Sequence, residues 1–282
     1  MRILLTGRNG QVGWELGQTL PALGQVVATD RSTLDLADPD SIRRSLRDAK
    51  PEIVVNAGAY TAVDKAESER SLATQVNSVA PGVLAEEAKR LGALLVHYST
   101  DYVFDGEKRA PYNEQDAPNP LSHYARTKLE GERAIMAAGC RHLILRTSWV
   151  YGPRAANFYQ VIQRKAQANE PMLMVDDQTS VPTPSGFLAE KTVKLVEREA
   201  SGLLHLVPTG QASRYDFARA VVETMKSRST VEAVKSDRFP SAAHRPYYSV
   251  MSNTTAASLL GGPLLHWRIV LEGGMKAWTT AG

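Results

Sequence analysis

Tyr124 and Lys128 stand four residues apart in Tyr-Ala-Arg-Thr-Lys. On a helix, that spacing turns a phenol and an ammonium toward one cleft. A phenol with its ordinary pKa near 10 exchanges protons poorly at neutral pH. A neighbouring ammonium favours the phenolate, so the pair implies a tyrosine lowered toward the working range. Upstream, His97-Tyr98-Ser99-Thr100-Asp101-Tyr102 closes an apolar run, and a hydroxyl donor at that strand end can hold a reacting oxygen beside the phenol. Near the N-terminus, Gly7, Gly10 and Gly13 form G-x-x-G-x-x-G between an apolar strand and a helix. Such a turn presents backbone N–H groups and a positive dipole end to a pyrophosphate. Asp30, 17 positions beyond Gly13, ends the second strand, where an acidic side chain bonds ribose hydroxyls. Asp30 repels a 2′-phosphate, whereas Arg8 and Arg31 could clamp one. The balance favours NADPH, with NADH tolerated.

These groups need a scaffold. Short apolar runs at Arg2–Thr6, Val26–Thr29, Ile53–Asn56, Leu94–Ser99 and Leu143–Thr147 read as strands. They lack strict alternation, as befits strands covered on both faces. Between them, Gln11–Leu23, Pro39–Asp48, Asp64–Leu91 (broken near Pro81), Leu121–Ala138 and Ala156–Ala168 read as helices. Alternation of this kind implies an α/β, Rossmann-like doubly wound parallel sheet. Further on, Met172–Val175 and Gly202–Leu206 read as strands, and Gly186–Glu199 and Arg214–Lys226 as helices. The polar stretch Arg228–Pro246 reads as irregular, and Leu259–Trp278 as terminal helical turns. We expect a nucleotide-binding domain over 1–152 with a later contribution from about 183–208. Residues 153–182 and 209–282 would form a smaller, interleaved C-terminal substrate lobe.

Among 282 residues, 33 Lys and Arg face 30 Asp and Glu. That surplus is too small for a nucleic-acid binder. It is uneven: residues 201–282 carry nine basic against five acidic side chains, a mildly basic lobe suited to a nucleotide diphosphate. The single cysteine excludes an internal disulfide, and no Cys/His cluster suggests zinc. No apolar run approaches the roughly 18 residues of a membrane span. The first strand breaks at Gly7, too early for a signal-peptide core. A cytoplasmic globular protein is expected.

The glycine loop together with Tyr124-x-x-x-Lys128 resembles the extended short-chain dehydrogenase/reductase superfamily. Within it, Asn56-Ala57-Gly58-Ala59-Tyr60-Thr61-Ala62-Val63-Asp64-Lys65-Ala66-Glu67, Ser99 to Gly106, Lys128 to Glu132 and Arg146 to Gly152 resemble the dTDP-4-dehydrorhamnose reductase family. The resemblance implies NAD(P)H-dependent reduction of the C4 carbonyl of dTDP-4-dehydro-β-L-rhamnose to dTDP-L-rhamnose. It makes Tyr124 the proton donor, has Lys128 tune it and bond the nicotinamide ribose, and has Thr100 position the sugar oxygen. Gly10, Gln11, Val12, Asp30, Asp35, Leu36, Ala59, Tyr60, Thr61, Tyr98, Tyr124 and Lys128 fall at matching cofactor positions. Thr100, Asp101, Tyr102 and Trp149 fall at sugar positions, with Val63 an apolar neighbour and Arg245 a candidate for the nucleotide.

Some members of that family are dimers bridged by magnesium between glutamates. Glu15 matches the first of these, but Gly186 and Arg268 stand where later carboxylates would fall. No metal is therefore expected, and the chain would act as a monomer or homodimer on a small nucleotide sugar. Two alternative functions share this scaffold. One is a sugar-nucleotide epimerase or 4,6-dehydratase, but a dehydratase uses an Asp-Glu pair after the threonine, and here Asp101 precedes Tyr102. A silent NADP-binding regulatory subunit would have lost Thr100, Tyr124 or Lys128.

Overall fold

Six parallel strands form the centre of the molecule, side by side in the order Gly202–His205, Arg141–Thr147, Leu94–Thr100, Ile53–Asn56, Arg2–Thr6 and Gln25–Ala28. The computed structural model describes residues 1–280. The first half alternates β1 (Arg2–Thr6), α1 (Gln11–Thr19), β2 (Gln25–Ala28), α2 (Pro39–Ala49) and β3 (Ile53–Asn56). It continues with α3 (Arg70–Thr74), α4 (Ala80–Leu91), β4 (Leu94–Thr100), α5 (His123–Ala138) and β5 (Arg141–Thr147). The chain winds outward from β1 in both directions, so β1 and β3 flank a point where the strand order reverses. Ligands bind beyond the strand carboxyl ends at such a point.

Two cores explain why the central strands carry apolar residues on both faces. Ile3, Leu5, Val55, Val96 and Leu145 pack toward Leu16 of α1 and toward Phe187 and Leu188. Leu4, Val54, Leu95 and Ile144 pack toward Ile42 of α2, Leu84 of α4 and Ile135 of α5.

Beyond β6 (Val150–Tyr151), α6 (Phe158–Gln167), β7 (Met172–Val175), β8 (Thr179–Ser180) and β9 (Thr183–Pro184), the chain returns through α7 (Ser185–Glu197) and β10 (Gly202–His205) to the β5 edge. The remainder is β11 (Ala212–Ser213), α8 (Arg214–Thr224), β12 (Val231–Val234), α9 (Thr254–Leu259) and α10 (Trp267–Thr280). A third core joins α6, α8 and α10 through Tyr151, Tyr159, Ile162, Phe217, Val221, Trp267 and Leu271.

Three sequence expectations need correction. The polar stretch Arg228–Pro246 contains β12, which pairs in parallel with β7 from Val231↔Met172 to Val234↔Val175. Its Glu232 and Ala233 are exposed, so its composition resembled a loop. The segment Asp64–Leu91 does not break at Pro81. It passes through a 3-10 turn at Lys65–Glu67, α3, and a π-helical turn at Gln75–Val79, and then runs on through Pro81. Proline lacks an N–H and crowds the carbonyl four residues back, here Asn77, and the wide turn accommodates both. Finally, Leu259 ends one helix and Trp267 begins another, with Gly261-Gly262-Pro263 between them.

Candidate active site

Gly7 adopts φ +71°, and a Cβ there would lie 2.7 Å from Gly58. A Cβ on Gly13 would lie 2.0 Å from the Gly7 carbonyl oxygen. The Gly10 N–H donates to that oxygen at 2.9 Å, and Gly10 is the N-cap of α1. Side chains are thus excluded from the place where the first helix presents its free N–H groups. Val12 lies beneath this turn, partly buried against the core.

A cavity of about 230 Å³ lies beside this loop, lined by Gly7, Asp30, Arg31, Asp35, Leu36, Ala59 and Tyr60. Hydrogen bonds from Ser32, followed by those of Arg8, hold the Asp30 carboxyl down at about 2. Arg8 reaches that carboxylate at 2.7 Å, while Arg31 stays exposed and lies 3.6 Å from Asp35. Tyr60 donates its hydroxyl to Glu69, which pushes its pKa up to about 12. The π-helical turn has a use here: Asn77 holds the Tyr60 N–H at 2.9 Å and the Tyr60 carbonyl at 3.0 Å.

The reactive end is a cavity of about 310 Å³ at the carboxyl ends of β4 and β5, lined by Gln11, Thr61, Val63, Thr100, Asp101, Tyr102, Tyr124 and Trp149. Ser122 caps α5 by accepting from the Ala125 N–H, which fixes Tyr124 in the first turn. The Thr100 hydroxyl, which donates to Asp101 Oδ1 at 3.2 Å, lines the same cavity as the phenol. Lys128 lies beneath, 2% exposed, donating to the Tyr98 carbonyl at 2.7 Å and lying 3.2 Å from His97 Nε2.

This geometry departs from the expected lowering of the phenol. Burial pushes the Tyr124 pKa up. Burial brings Lys128 down to about 8, opposed by Glu132. The lysine's bonds go to β4, not to the phenol. Tyr124 is therefore held protonated, the state a proton donor needs.

Asp101 is 2% exposed and joins three segments. Its Oδ1 accepts from Thr100 at 3.2 Å, and its Oδ2 accepts from Ser180 at 2.9 Å and Ser249 at 2.5 Å. Burial raises its pKa to about 6 against those bonds. Trp149 sits at φ +41°, a backbone region costly for a bulky residue and concentrated at functional sites.

Tyr98 is placed differently from its neighbours. Its hydroxyl lies 2.6 Å from Thr192 Oγ1 on α7, so only its backbone carbonyl reaches the site. Arg245 binds Asp64 at 2.7 and 3.1 Å and faces a second groove.

One residue absent from the sequence reading joins the two spaces. Arg214, first in α8, lines both the reactive cavity and the groove of Arg245. Its guanidinium lies 4.5 Å from the Trp149 ring, and its Nε donates to Gln178 Oε1 at 3.2 Å. Much of the C-terminal basic surplus is neutralised: Arg219 and Arg268 pair with Glu223, Lys235 with Asp176, and Arg245 with Asp64. Among the described residues Arg214 has no carboxylate partner. No spacing signal marks it, because a helix-opening arginine looks like any solvated charge.

Four buried polar atoms of residues lining the reactive cavity, Gln11 Oε1, Ser99 Oγ, Thr147 Oγ1 and the Tyr151 hydroxyl, have no partner within the protein. With the side-chain-free glycine turn, they fit a dinucleotide laid from Asp30 to Tyr124. A bridging metal fits poorly. Gly186 lies against the Glu15 carboxyl without adding one, and Arg268 is committed to Glu223 and Glu272. Among the described residues no group of three His, Cys, Asp or Glu side chains could hold an ion. Nor is any helix there long and apolar enough to cross a membrane.

Residues 1–279 match the family model described as RmlD substrate binding domain. The chain is 43% identical over 285 residues to the dTDP-4-dehydrorhamnose reductase of Burkholderia thailandensis, covering 95% of this chain and 96% of that protein. It is 37% identical to that of Escherichia coli K12, covering 95% of each. A crystal structure of dTDP-4-dehydrorhamnose reductase from Clostridium acetobutylicum superposes with a TM-score of 0.94 at 35% identity, over 99% of this chain and all of that one. The enzyme of that name from Bacillus anthracis, in complex with NADP, gives 0.94 at 31% identity over 98% and 99%.

Proposed function

The chain belongs to the RmlD substrate binding domain family, and from that membership and the site geometry we infer that it reduces dTDP-4-dehydro-β-L-rhamnose to dTDP-L-rhamnose with NADPH. The observation that carries the chemistry is the Tyr124 phenol held protonated by burial in one cavity with Thr100, one helical turn from the buried Lys128.

Bound NADPH supplies the hydride that reduces the sugar C4 carbonyl. The glycine turn and the N-terminus of α1 hold the pyrophosphate through backbone N–H groups, while Asp30 meets the adenosine ribose. Arg8 and Arg31 flank that carboxylate and offset its charge near a 2′-phosphate.

Thr100 orients the carbonyl oxygen toward Tyr124. As negative charge develops on that oxygen, Tyr124 gives it the phenolic proton, and C=O becomes CH–OH. The remaining phenolate lies one helical turn from the Lys128 ammonium, which stabilises it until solvent restores the proton. Trp149 and Val63 flank the sugar. Arg214 and Arg245 face the groove that leads away from it, where a nucleotide diphosphate finds charge-assisted donors.

Supplying the chain with the combined products of dTDP-glucose 4,6-dehydratase and 3,5-epimerase, and following NADPH absorbance, tests this reading. Substrate-dependent oxidation with dTDP-L-rhamnose as product is expected. Absence of oxidation with competent upstream enzymes rejects it.

A further inference from the structure

Lys128 stands at the end of a polar row that crosses an otherwise apolar sheet. Strand register sets Thr6, Asn56 and His97 side by side on β1, β3 and β4, and each is 1% exposed. Thr6 Oγ1 donates to Asn56 Oδ1 at 2.6 Å, Asn56 Nδ2 lies 3.0 Å from His97 Nδ1, and His97 Nε2 lies 3.2 Å from Lys128 Nζ. On the facing strand, the neighbour of His97 is Ile144. The row therefore stops at the imidazole, and the lysine is what it meets.

We propose that His97 is a positioning residue for the reduction: as a neutral imidazole it accepts a hydrogen bond from the Lys128 ammonium through Nε2 and, with the Tyr98 carbonyl, leaves one N–H free for the active site. This rests on the assignment of Tyr124 and Lys128 above. An ammonium only donates, so Nε2 must be the unprotonated nitrogen and the ring proton sits on Nδ1. That proton then needs the amide oxygen of Asn56. With the amide as it stands, Nδ2 faces Nδ1, which places the ring proton on Nε2 and suits only a neutral lysine; a half-turn, which exchanges the amide nitrogen and oxygen, brings Oδ1 to Nδ1 and suits the ammonium. The Thr6 hydroxyl can donate to the amide oxygen or accept from its NH₂. Amide orientation, ring tautomer and lysine charge are thus one coupled choice.

The surrounding groups favour the neutral form of the ring. A protonated ring would set two cations 3.2 Å apart in a buried site, and burial together with Lys128 holds His97 well below its ordinary pKa. Facing Lys128 are Glu132 one turn on, itself bound to Arg146 of β5, and Tyr98 and His97 on β4. Toward the cavity stand Tyr124 one turn back and Asp101 beyond it.

His97→Leu removes the acceptor, and His97→Gln restores a carbonyl oxygen of similar reach. In His97→Leu, kcat should fall about tenfold or more, the loss expected for a hydrogen bond to a charged group. KM for NADPH and for the nucleotide sugar should move far less. The alkaline limb of kcat against pH should shift to lower pH, because the ammonium has lost an acceptor, and His97→Gln should recover both effects. Equal losses in the two variants with an unmoved limb, or an unchanged kcat in His97→Leu, overturn the proposal.

Imidazole ¹⁵N shifts of the unmodified protein give a second reading that requires no variant to fold. Near pH 6.5 they should show Nδ1–H with bare Nε2; Nε2–H at that pH overturns the proposal. Failure of the catalytic assignment itself would appear separately, as retained turnover in Lys128→Met.

Discussion

The guanidinium of Arg214 lies 4.5 Å over the Trp149 ring and bridges the reactive cavity to the groove of Arg245. It ties the first residue of α8 to a tryptophan whose backbone is held at φ +41°. A cation without a carboxylate partner at such a junction has a ligand-facing role.

Arg214→Met should therefore raise KM for the nucleotide sugar roughly 10- to 100-fold, the range of a lost charge-assisted hydrogen bond. The NADPH dissociation constant should stay nearly unchanged, since Arg214 lies outside the adenosine cavity. Steady-state kinetics with fluorescence titration of NADPH separates the two. A matched loss in both would make Arg214 a structural residue.

Two glycines of α1 make opposite tests. A Cβ on Gly13 would lie 2.0 Å from the Gly7 carbonyl oxygen, while one on Gly17 meets nothing within 4 Å. Gly17→Ala should stabilise the protein by about 0.5–1 kcal/mol through helix propensity alone. Gly13→Ala should displace the phosphate turn and weaken NADPH binding at least tenfold. Thermal unfolding and NADPH titration read the pair.

Much of this scaffold is legible in the sequence, for identifiable reasons. Strands such as Ile53–Asn56 are apolar throughout because both faces are covered, and glycines mark the phosphate turn because a Cβ does not fit there. Tyr124 and Lys128 are visible through their four-residue spacing. Other features depend on distant partners. β12 is a strand only because β7 lies beside it, and Arg214 acquires meaning only from Trp149. The π-helical turn before Pro81 follows from a steric conflict whose outcome composition does not reveal. Nor does spacing show that the Lys128 bonds go to β4, so that burial and not the ammonium sets the pKa of the free phenol.

Asp101 makes stability depend on pH. Its carboxyl titrates near 6 in the fold against about 3.9 when unfolded, so the folded state binds more protons between those values. Its contribution is therefore fully present below about pH 4 and is lost as pH rises toward 6, on the order of 3 kcal/mol in all. Asp101→Asn should flatten that segment of the stability curve relative to the unaltered protein. Denaturant unfolding at pH 4, 5, 6 and 7 measures the difference, and parallel curves would contradict it.

The central claim is that the buried Tyr124 phenol is the proton donor. Single-turnover oxidation of NADPH by Tyr124→Phe, with cofactor binding measured in parallel, tests it most directly. The phenylalanine keeps the ring and removes only the hydroxyl. The rate should fall about 10²–10⁴-fold, as for a lost general acid, while NADPH affinity changes less than about twofold, too little to be a lost hydrogen bond. A variant that turns over at the original rate would contradict the account.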